Sequence, residues 1–376
     1  MHSLAVSLTV LLSAMQAAGP ASGIYETQQA DFTVETVASG LEFPWSMAFL
    51  PGGDMLVSER DGRLRYVEDG VLRDAPVTGL PRILVANQGG LLGLALHPDF
   101  QDNRLVYFAF SEGRNSANHT ALARARLSED GRALSDVETL FRVNFDKEGG
   151  YHFGGRILFL EDGTLLLTLG EGARYRDEAQ NLENHLGTIV RLNDDGTVPF
   201  DNPFVSARGA RPEIWTYGHR NVQGIAINPA TGEVWSHEHG ARGGDEVNRI
   251  EPGRNYGWPR VTYGVNYDGT QISEATHADG LEQPLWYWVP SIAPSGMSFY
   301  AGGEFPEWQG DLFVGALAGS MVVRFEIDGD RIIGQETLLD DRGERIRDVQ
   351  TGPDGHLYLL TDAPDGALLR LDRVVP

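Results

Sequence analysis

The strongest constraint on the fold of this 376-residue chain is a sequence unit that recurs six times. Each unit contains a turn rich in glycine or aspartate, a short apolar strand, a polar loop and a second strand that ends near an arginine. The turns fall at positions 53, 103, 163, 232, 310 and 355, which are 45 to 78 residues apart. A β-helix has a shorter and stricter period, and a β-sandwich does not repeat six times. The repeat therefore predicts an all-β fold, a six-bladed β-propeller of four-stranded antiparallel blades.

The repeats also suggest how the chain is divided. Residues 23–376 are expected to form a single propeller domain, with inserted loops at 173–215 and 254–300 over one face, where propellers place their sites. Residues 1–22 contain no Asp, Glu, Lys or Arg, and an apolar run followed by small residues predicts a secretory signal peptide. We therefore expect a periplasmic or secreted protein; a disordered leader and an N-terminal anchor are the alternatives. No later segment has the roughly 18 apolar residues of a spanning helix, so no membrane span is predicted.

Charge and side-chain chemistry exclude several functions. The chain has 53 acidic and 30 basic residues and a net charge of −23, so we expect no nucleic-acid partner. It has no cysteine, which removes thiolate catalysis, cysteine zinc sites and iron–sulfur clusters. The only lysine is Lys147, in a polar, turn-like segment, so neither a Schiff base nor a phosphate-loop lysine is expected. Carboxylates, imidazoles, guanidiniums and a bound cofactor remain as sources of chemistry.

His152 is the candidate general base. It lies in the loop segment Tyr151-His-Phe-Gly-Gly-Arg156, directly before an apolar strand, and the pKa of an imidazole is near neutral. The alternative is a histidine of the surface or the core. Gln88 lies in another glycine-rich loop before a strand, where its side chain is able to face a central ligand.

Two arginine-containing segments are candidate anion sites. Arg220 is followed by Asn221 and Gln223, and a guanidinium with neighbouring amides is suited to a planar carboxylate; the alternative is an arginine that ties two blades together. Arg345 and Arg347 are two residues apart, so in an extended segment both face the same way and an anionic ligand would offset their repulsion. Asp348 is the competing, purely structural partner of these two cations.

The segment Ser236-His-Glu-His-Gly-Ala241 contains two candidate metal sites. On a strand, His237 and His239 share one face and Glu238 points away, which leaves zinc short of ligands. The main-chain carbonyls of Gly240 and Ala241 are hard oxygen ligands that suit calcium. Spacing alone does not decide between the two metals.

Five motifs, in order along the chain, resemble those of the soluble glucose/sorbosone dehydrogenase family, and most closely its bacterial aldose sugar dehydrogenase branch. The resemblance extends from about Val34 to Leu371. The motifs are GHRNVQG from 218, HGARGGDEVN from 239, NYGWP at 255–259, SIAPSG at 291–296 and RIRDV at 345–349. Members of this family are six-bladed propellers that use pyrroloquinoline quinone (PQQ) and calcium.

The resemblance implies the oxidation of an aldose at its anomeric hydroxyl to a lactone, by hydride transfer to the quinone. It places His152 at the position of the catalytic base, and Gly240 and Ala241 at the positions whose main-chain oxygens hold the catalytic calcium. The positions implied to contact the cofactor or to lie beside it are Gln88, Glu171, Arg220, Asn221, Gln223, His239, Ser291, Arg345 and Arg347. The partners it implies are a small-molecule aldose and an electron acceptor that the sequence does not identify.

One position departs from the family pattern. Better-known glucose dehydrogenases of the family have a lysine that contacts the cofactor where this chain has Ala318. Lys147 is remote in sequence from that position, and Arg242 or an inserted loop is the candidate replacement. Two alternative functions follow if the cofactor is not bound: a calcium-dependent propeller lactonase, or a non-catalytic propeller that binds sugars or a protein.

Overall fold

A computed structural model describes residues 23–375 and confirms the all-β architecture. Twenty-four strands form six four-stranded antiparallel sheets. The predicted signal peptide lies outside the described residues. Within residues 23–375, no helix is long and apolar enough to cross a membrane.

Five blades are built from four strands that follow one another in the chain. Blade 1 contains β2 (Pro44–Phe49), β3 (Met55–Glu59), β4 (Arg63–Glu68) and β5 (Val71–Leu72). Blade 2 contains β6 (Leu91–Leu96), β7 (Leu105–Arg114), β8 (Ala117–Leu127) and β9 (Leu134–Arg142). Blade 3 contains β10 (Ile157–Phe159), β11 (Leu165–Thr168), β12 (Thr188–Leu192) and β13 (Ile214–Tyr217). Blade 4 contains β14 (Val222–Ile227), β15 (Val234–Glu238), β16 (Asp245–Ile250) and β17 (Trp286–Trp288), and blade 5 contains β18 (Pro294–Phe299), β19 (Leu312–Ala316), β20 (Met321–Asp328) and β21 (Arg331–Leu338).

The sixth blade joins the two ends of the propeller. It contains β22 (Ile346–Thr351), β23 (Leu357–Thr361) and β24 (Gly366–Arg373), and its outer strand is β1 (Phe32–Leu41). β1 pairs antiparallel with β24, from Phe32 opposite Arg373 to Leu41 opposite Gly366. Because this pairing joins the first strand to the last blade, the ring is closed through backbone hydrogen bonds.

The blades pack face to face through apolar clusters. Five of the six clusters in the described chain combine residues of two adjacent blades, such as Leu56 of blade 1 and Phe108 of blade 2. The sixth adds Trp45 of blade 1 to residues of blades 2 and 3. β3, β19 and β23 are buried along their whole length, which explains why apolar residues follow one another in them without alternation. The outer strand β21 alternates between more and less exposed residues, as expected of a strand with one face in solvent.

The predicted insertions are only partly loops. The segment 173–215 includes β12 and the start of β13, and 254–300 includes β17 and the whole of β18, with loops between these strands. The short helices of the described chain are α1 (Phe100–Asn103) and three 3₁₀ turns at Arg176–Gln180, Pro306–Trp308 and Asp340–Arg342. The first of these turns belongs to the loop that follows β11, which borders the site described next.

Candidate active site

The topology of the blades brings the predicted site residues to one end of the ring. In an antiparallel blade the start of the inner strand and the end of the second strand lie at the same edge. His152, Arg220 and Arg345 precede the inner strands of their blades, and Glu171 and His239 follow second strands. Neighbouring inner strands β2, β6, β10, β14, β18 and β22 contact one another around the ring, so these side chains converge on its centre.

Two adjoining cavities occupy this end of the ring. The central cavity is lined by six of the predicted residues: Gln88, Asn221, Gln223, His239, Arg345 and Arg347. The outer cavity has a volume of about 410 Å³ and is lined by four more: His152, Glu171, Arg220 and Ala241. Gln88 lines both. A volume of this size is within the range of small-molecule sites.

His152 is held as a buried, neutral imidazole. Its backbone has a φ of 50°, and its N–H donates to Gln88 Oε1 at 2.8 Å. Nδ1 lies 3.2 Å from Oε1 of the buried Glu171. Burial is the main reason that the pKa of His152 is lowered, Arg220 lowers it further, and Glu171 opposes the change. With Nδ1 beside the carboxylate, Nε2 is the nitrogen available to accept a proton.

Arg345 and Arg347 face the same way, as their spacing predicts. Arg345 donates to Asp362 Oδ2 at 2.7 Å, and Nη2 of Arg347 lies 3.4 Å from the same oxygen. Burial lowers the pKa of Arg347 to about 10, Asp362 opposes that change, and Arg156 and Arg345 add to it. Nε of Arg347 has no hydrogen-bond partner in the part of the chain that the structure describes. One carboxylate is thus shared between two guanidiniums at the wall of the central cavity.

Asp348 is not the partner of this arginine pair, so the structural alternative based on it was wrong. Its Oδ1 accepts a hydrogen bond from Arg156 at 2.6 Å, and its Oδ2 accepts one from the N–H of Met47. Arg156 also donates to the carbonyls of Gln223 and Arg347. The arginine that ties blades together is therefore Arg156.

The side chains of Asn221 and Gln223 bracket one main-chain unit. Asn221 Oδ1 accepts the N–H of Gly154 at 3.1 Å, and Gln223 Nε2 donates to the Gly154 carbonyl at 3.2 Å. Gly154 has a φ of 64°, and a Cβ atom there would lie 2.4 Å from the carbonyl oxygen of Thr168. Only glycine fits this turn, and both amides are fixed against the wall of the central cavity.

The candidate calcium ligands lie in a tight turn beside both cavities. The N–H of Gly240 donates to Asp245 Oδ1 at 2.7 Å, and its carbonyl accepts a hydrogen bond from Arg220 Nη1. A Cβ atom on Gly240 would lie 2.2 Å from the carbonyl oxygen of Gly243, so this turn requires glycine. The Ser291 hydroxyl donates to Asp245 at 2.7 Å and belongs to neither the central nor the outer cavity of the described chain. Ser291 thus lies behind the turn that carries Gly240.

The zinc alternative gains no support. Glu238 accepts hydrogen bonds from His219 and from the N–H of Arg220, and the His239 ring contacts the Pro294 carbonyl at 2.6 Å. Burial lowers the pKa of His239 to about 3, so the ring is neutral. Residues 23–375 contain no group of three or more His, Cys, Asp or Glu placed to hold a metal.

Several residues of the two cavities carry no sequence signal. Arg60 follows β3 and lines the central cavity together with Trp45. It lies at the same end of the ring as Ala318, the position where better-known glucose dehydrogenases of the family have a lysine. Ala318 and Arg242 are exposed and are not among the lining residues of either cavity in the described structure. In the outer cavity, Arg176, Trp258, Asn266 and Tyr267 come from the two inserted segments. Of these, only Trp258 belongs to a motif noted in the sequence, NYGWP at 255–259.

Lys147 also differs from its expected surroundings. The polar sequence around it predicts a turn, but the side chain is 1% exposed. Its ammonium donates to the carbonyl of Tyr151 and lies 3.2 Å from the ring centroid of Phe153. It is therefore a buried lysine that contacts the residues on both sides of His152 in the chain.

The fold and these cavities together define a propeller enzyme, with a cationic, amide-lined central cavity and a buried histidine–carboxylate pair at its mouth. The chain belongs to the Glucose / Sorbosone dehydrogenase family, whose model matches residues 41–370.

Relatives of known structure or name agree with this assignment. The chain is 45% identical to the aldose sugar dehydrogenase YliI of Escherichia coli, over 91% of this chain and 93% of the relative. It superposes on the apo crystal structure of the soluble aldose sugar dehydrogenase from Escherichia coli with a TM-score of 0.88 and 44% identity, over 91% of this chain and 100% of that one. The PQQ-bound aldose sugar dehydrogenase of Streptomyces coelicolor matches with a TM-score of 0.75 and 30% identity, over 92% and 99% of the two chains.

Proposed function

We propose that this protein is an aldose dehydrogenase that binds PQQ and calcium and oxidises the anomeric hydroxyl of a sugar to a lactone. The observation that carries the proposal is the group of three arginines, Arg60, Arg345 and Arg347, on the central cavity of a chain whose net charge is −23. They face the cavity with one carboxylate, Asp362, between two of them. A planar ligand with several carboxylates is the natural complement of such a cavity.

The residues present fit both groups. Nε of Arg347 has no hydrogen-bond partner within residues 23–375, and Trp45 lines the same cavity. These groups suit a flat tricarboxylated quinone, with Asn221 and Gln223 as neighbouring amides. The main-chain oxygens of Gly240 and Ala241 would hold calcium, with Arg220 released from the Gly240 carbonyl. When bound, the quinone accepts hydride and calcium makes it more electrophilic.

The protein's own residues orient the sugar and move the proton. His152 accepts the proton of the anomeric hydroxyl at Nε2, and the hydrogen on the anomeric carbon leaves as a hydride to the electron acceptor, so that the sugar loses two hydrogens and two electrons. Glu171 beside Nδ1 stabilises the imidazolium that forms. Gln88 fixes the backbone of His152, and Trp258 and Tyr267 line the cavity in which the sugar ring would lie.

The test is reduction of an artificial dye by purified protein, with an aldose panel and with added PQQ and calcium. The dye stands in for the unidentified electron acceptor. We expect dye reduction that requires both additions, and quinone absorbance that stays with the protein after desalting. Absence of retained quinone together with absence of dye reduction would reject the proposal.

The two alternative functions predict different outcomes. A calcium-dependent lactonase would hydrolyse lactones without quinone, but the three arginines that line the central cavity would repel a calcium ion held there. A non-catalytic propeller would bind sugar or a protein and never reduce the dye. Lactone hydrolysis and sugar binding in the quinone-free protein separate these cases.

A further inference from the structure

Lys147, the only lysine of the sequence, is buried beside the segment that carries His152. Its backbone N–H and carbonyl pair with those of Asn118 at 2.9 and 3.0 Å. Its ammonium contacts the carbonyl of Tyr151 and the face of the Phe153 ring. Tyr151 and Phe153 flank His152 in the chain. Lys147 therefore contacts the segment that carries the candidate base on both sides of His152.

The Lys147 side chain runs beside Gly172, the residue after Glu171, since a Cβ atom on Gly172 would lie 2.7 Å from Lys147 Cδ. Glu171 is therefore a buried charge close to this lysine, although the two form no direct ion pair within residues 23–375. The carboxylate is 1% exposed, and neither of its oxygens accepts a hydrogen bond from a residue in 23–375. Its direct contact is His152 Nδ1 at 3.2 Å. A buried carboxylate with so few partners is costly unless a positive charge lies close by. The candidate charges are a proton on His152, the guanidinium of Arg220, which lines the same cavity, and the ammonium of Lys147.

Protonated His152 and Lys147 compete for the same carboxylate. Glu171 raises the pKa of His152, whereas Lys147 and Arg220 lower it. Glu171 also raises the pKa of Lys147, although burial brings it down to about 7. Of the other charged or titratable groups near His152, His239 is neutral because burial lowers its pKa to about 3. With Lys147 charged, the Glu171 carboxylate is compensated and His152 has no need to carry a proton.

We propose that Lys147 is a positioning residue whose buried ammonium compensates Glu171 and so keeps His152 neutral and able to accept a proton. The inference rests on the proposed role of His152 as the general base. A histidine that was already protonated would be unable to take the hydroxyl proton of a sugar. Lys147 touches neither cavity and acts through Glu171 and the His152 segment.

The experiment uses the cofactor-free protein and NMR titration of its imidazole nitrogens. The His152 signal is assigned by its loss in His152→Gln. In Lys147→Met we expect the midpoint of His152 protonation to rise by roughly one pH unit or more, because an uncompensated carboxylate favours the imidazolium. The same substitution made in the Glu171→Gln background should raise the midpoint less, because the carboxylate that Lys147 compensates is absent. A purely structural role of Lys147 would give the same rise in both backgrounds.

Arg324→Met is the matched control for loss of a buried cation. Arg324 is also 1% exposed and pairs with Asp311 and Glu336 in blade 5. This variant should leave the His152 midpoint unchanged. An unchanged midpoint in Lys147→Met, or an equal rise on making this substitution in the Glu171→Gln background, would overturn the inference.

A second measurement does not require Lys147→Met to fold. Because the sequence has one lysine, protein labelled at lysine Cε and Nζ gives one lysine side-chain signal. We expect the lysine to titrate at lower pH in Glu171→Gln than in the natural protein, since its compensating charge is gone. Equal midpoints would contradict the inference. Both titrations are made without quinone, so they can succeed even when the dye assay fails, and the two proposals are judged separately.

Discussion

Arg156 donates a hydrogen bond from Nη1 to Oδ1 of Asp348 over 2.6 Å, and both side chains are buried. Nε and Nη2 of the same guanidinium donate to the carbonyls of Gln223 and Arg347, and its Cζ lies 4.3 Å from the ring centroid of Trp45. The residue thus connects blades 1, 3, 4 and 6 beneath the central cavity. The position of Arg347 and Gln223 in the cavity wall depends on this contact.

Breaking that buried pair should be costly. Arg156→Met leaves Asp348 buried without its charged partner, so we expect the free energy of unfolding to fall by about 3–5 kcal/mol. Chemical denaturation measures the loss. The control is Arg331→Met, which removes an exposed ion pair to Asp328 and should cost about 0–1 kcal/mol. Equal effects of the two substitutions would show that Arg156 does not connect the blades in solution.

The structure also suggests how the chain tolerates Ala318 in place of the family lysine. Arg60 lines the central cavity from blade 1, so we infer that it supplies the missing cationic contact. Arg60→Ala should weaken PQQ binding by about 1–3 kcal/mol, the range for hydrogen bonds to charged groups. Titration followed by quinone absorbance measures the change.

Two further variants test this compensation. Arg242→Ala removes an exposed arginine and should leave quinone affinity unchanged. Ala318→Lys in the Arg60→Ala background should recover part of the loss. An effect of Arg242→Ala as large as that of Arg60→Ala would assign the compensation to Arg242 instead.

The sequence predicts the second and third strands of each blade better than the short inner and outer strands and the closure of the ring. The six recurring units correspond to the second and third strands of each blade, such as β3 with β4 and β23 with β24. These strands are covered by neighbouring blades on both sides and are therefore strongly apolar. β5 and β10 have two and three residues, too few for any periodicity. The pairing of β1 with β24 joins opposite ends of the chain and has no local signal.

The site residues divide in the same way, into those with a local sequence signal and those without one. His152, Arg220 and Arg345 are recognisable because each stands in a motif directly before an inner strand. Arg60 and Tyr267 come to the cavities from a blade edge and an inserted loop, so their presence depends on side-chain direction in three dimensions. Lys147 is a similar case: its polar neighbours predict exposure, and only the packing of the His152 segment over it shows that it is buried.

The lowered pKa of His152 has a consequence for the pH dependence of turnover. Burial favours the neutral imidazole, so the base form should persist below the ordinary histidine pKa of about 6.5. Because the base must be unprotonated, kcat/KM should stay high as the pH falls to that value and decline only at lower pH. A profile from about pH 4.5 to 8 measures the acid limb. A limb centred above the ordinary histidine pKa would contradict the proposed environment of His152.

Replacing the candidate base separates chemistry from binding. His152→Gln removes the proton acceptor, and turnover should fall by about 10²–10⁴-fold, the contribution of a positioned general base. The central cavity is lined by other side chains, so the variant should still retain quinone after desalting. His185→Gln is the matched control, since His185 is a buried histidine that contacts Glu213 and belongs to neither cavity of the described structure. We expect this control to turn over normally. A His152→Gln protein that keeps its quinone and its normal rate would remove His152 from the mechanism, whereas one that loses quinone would assign it to binding.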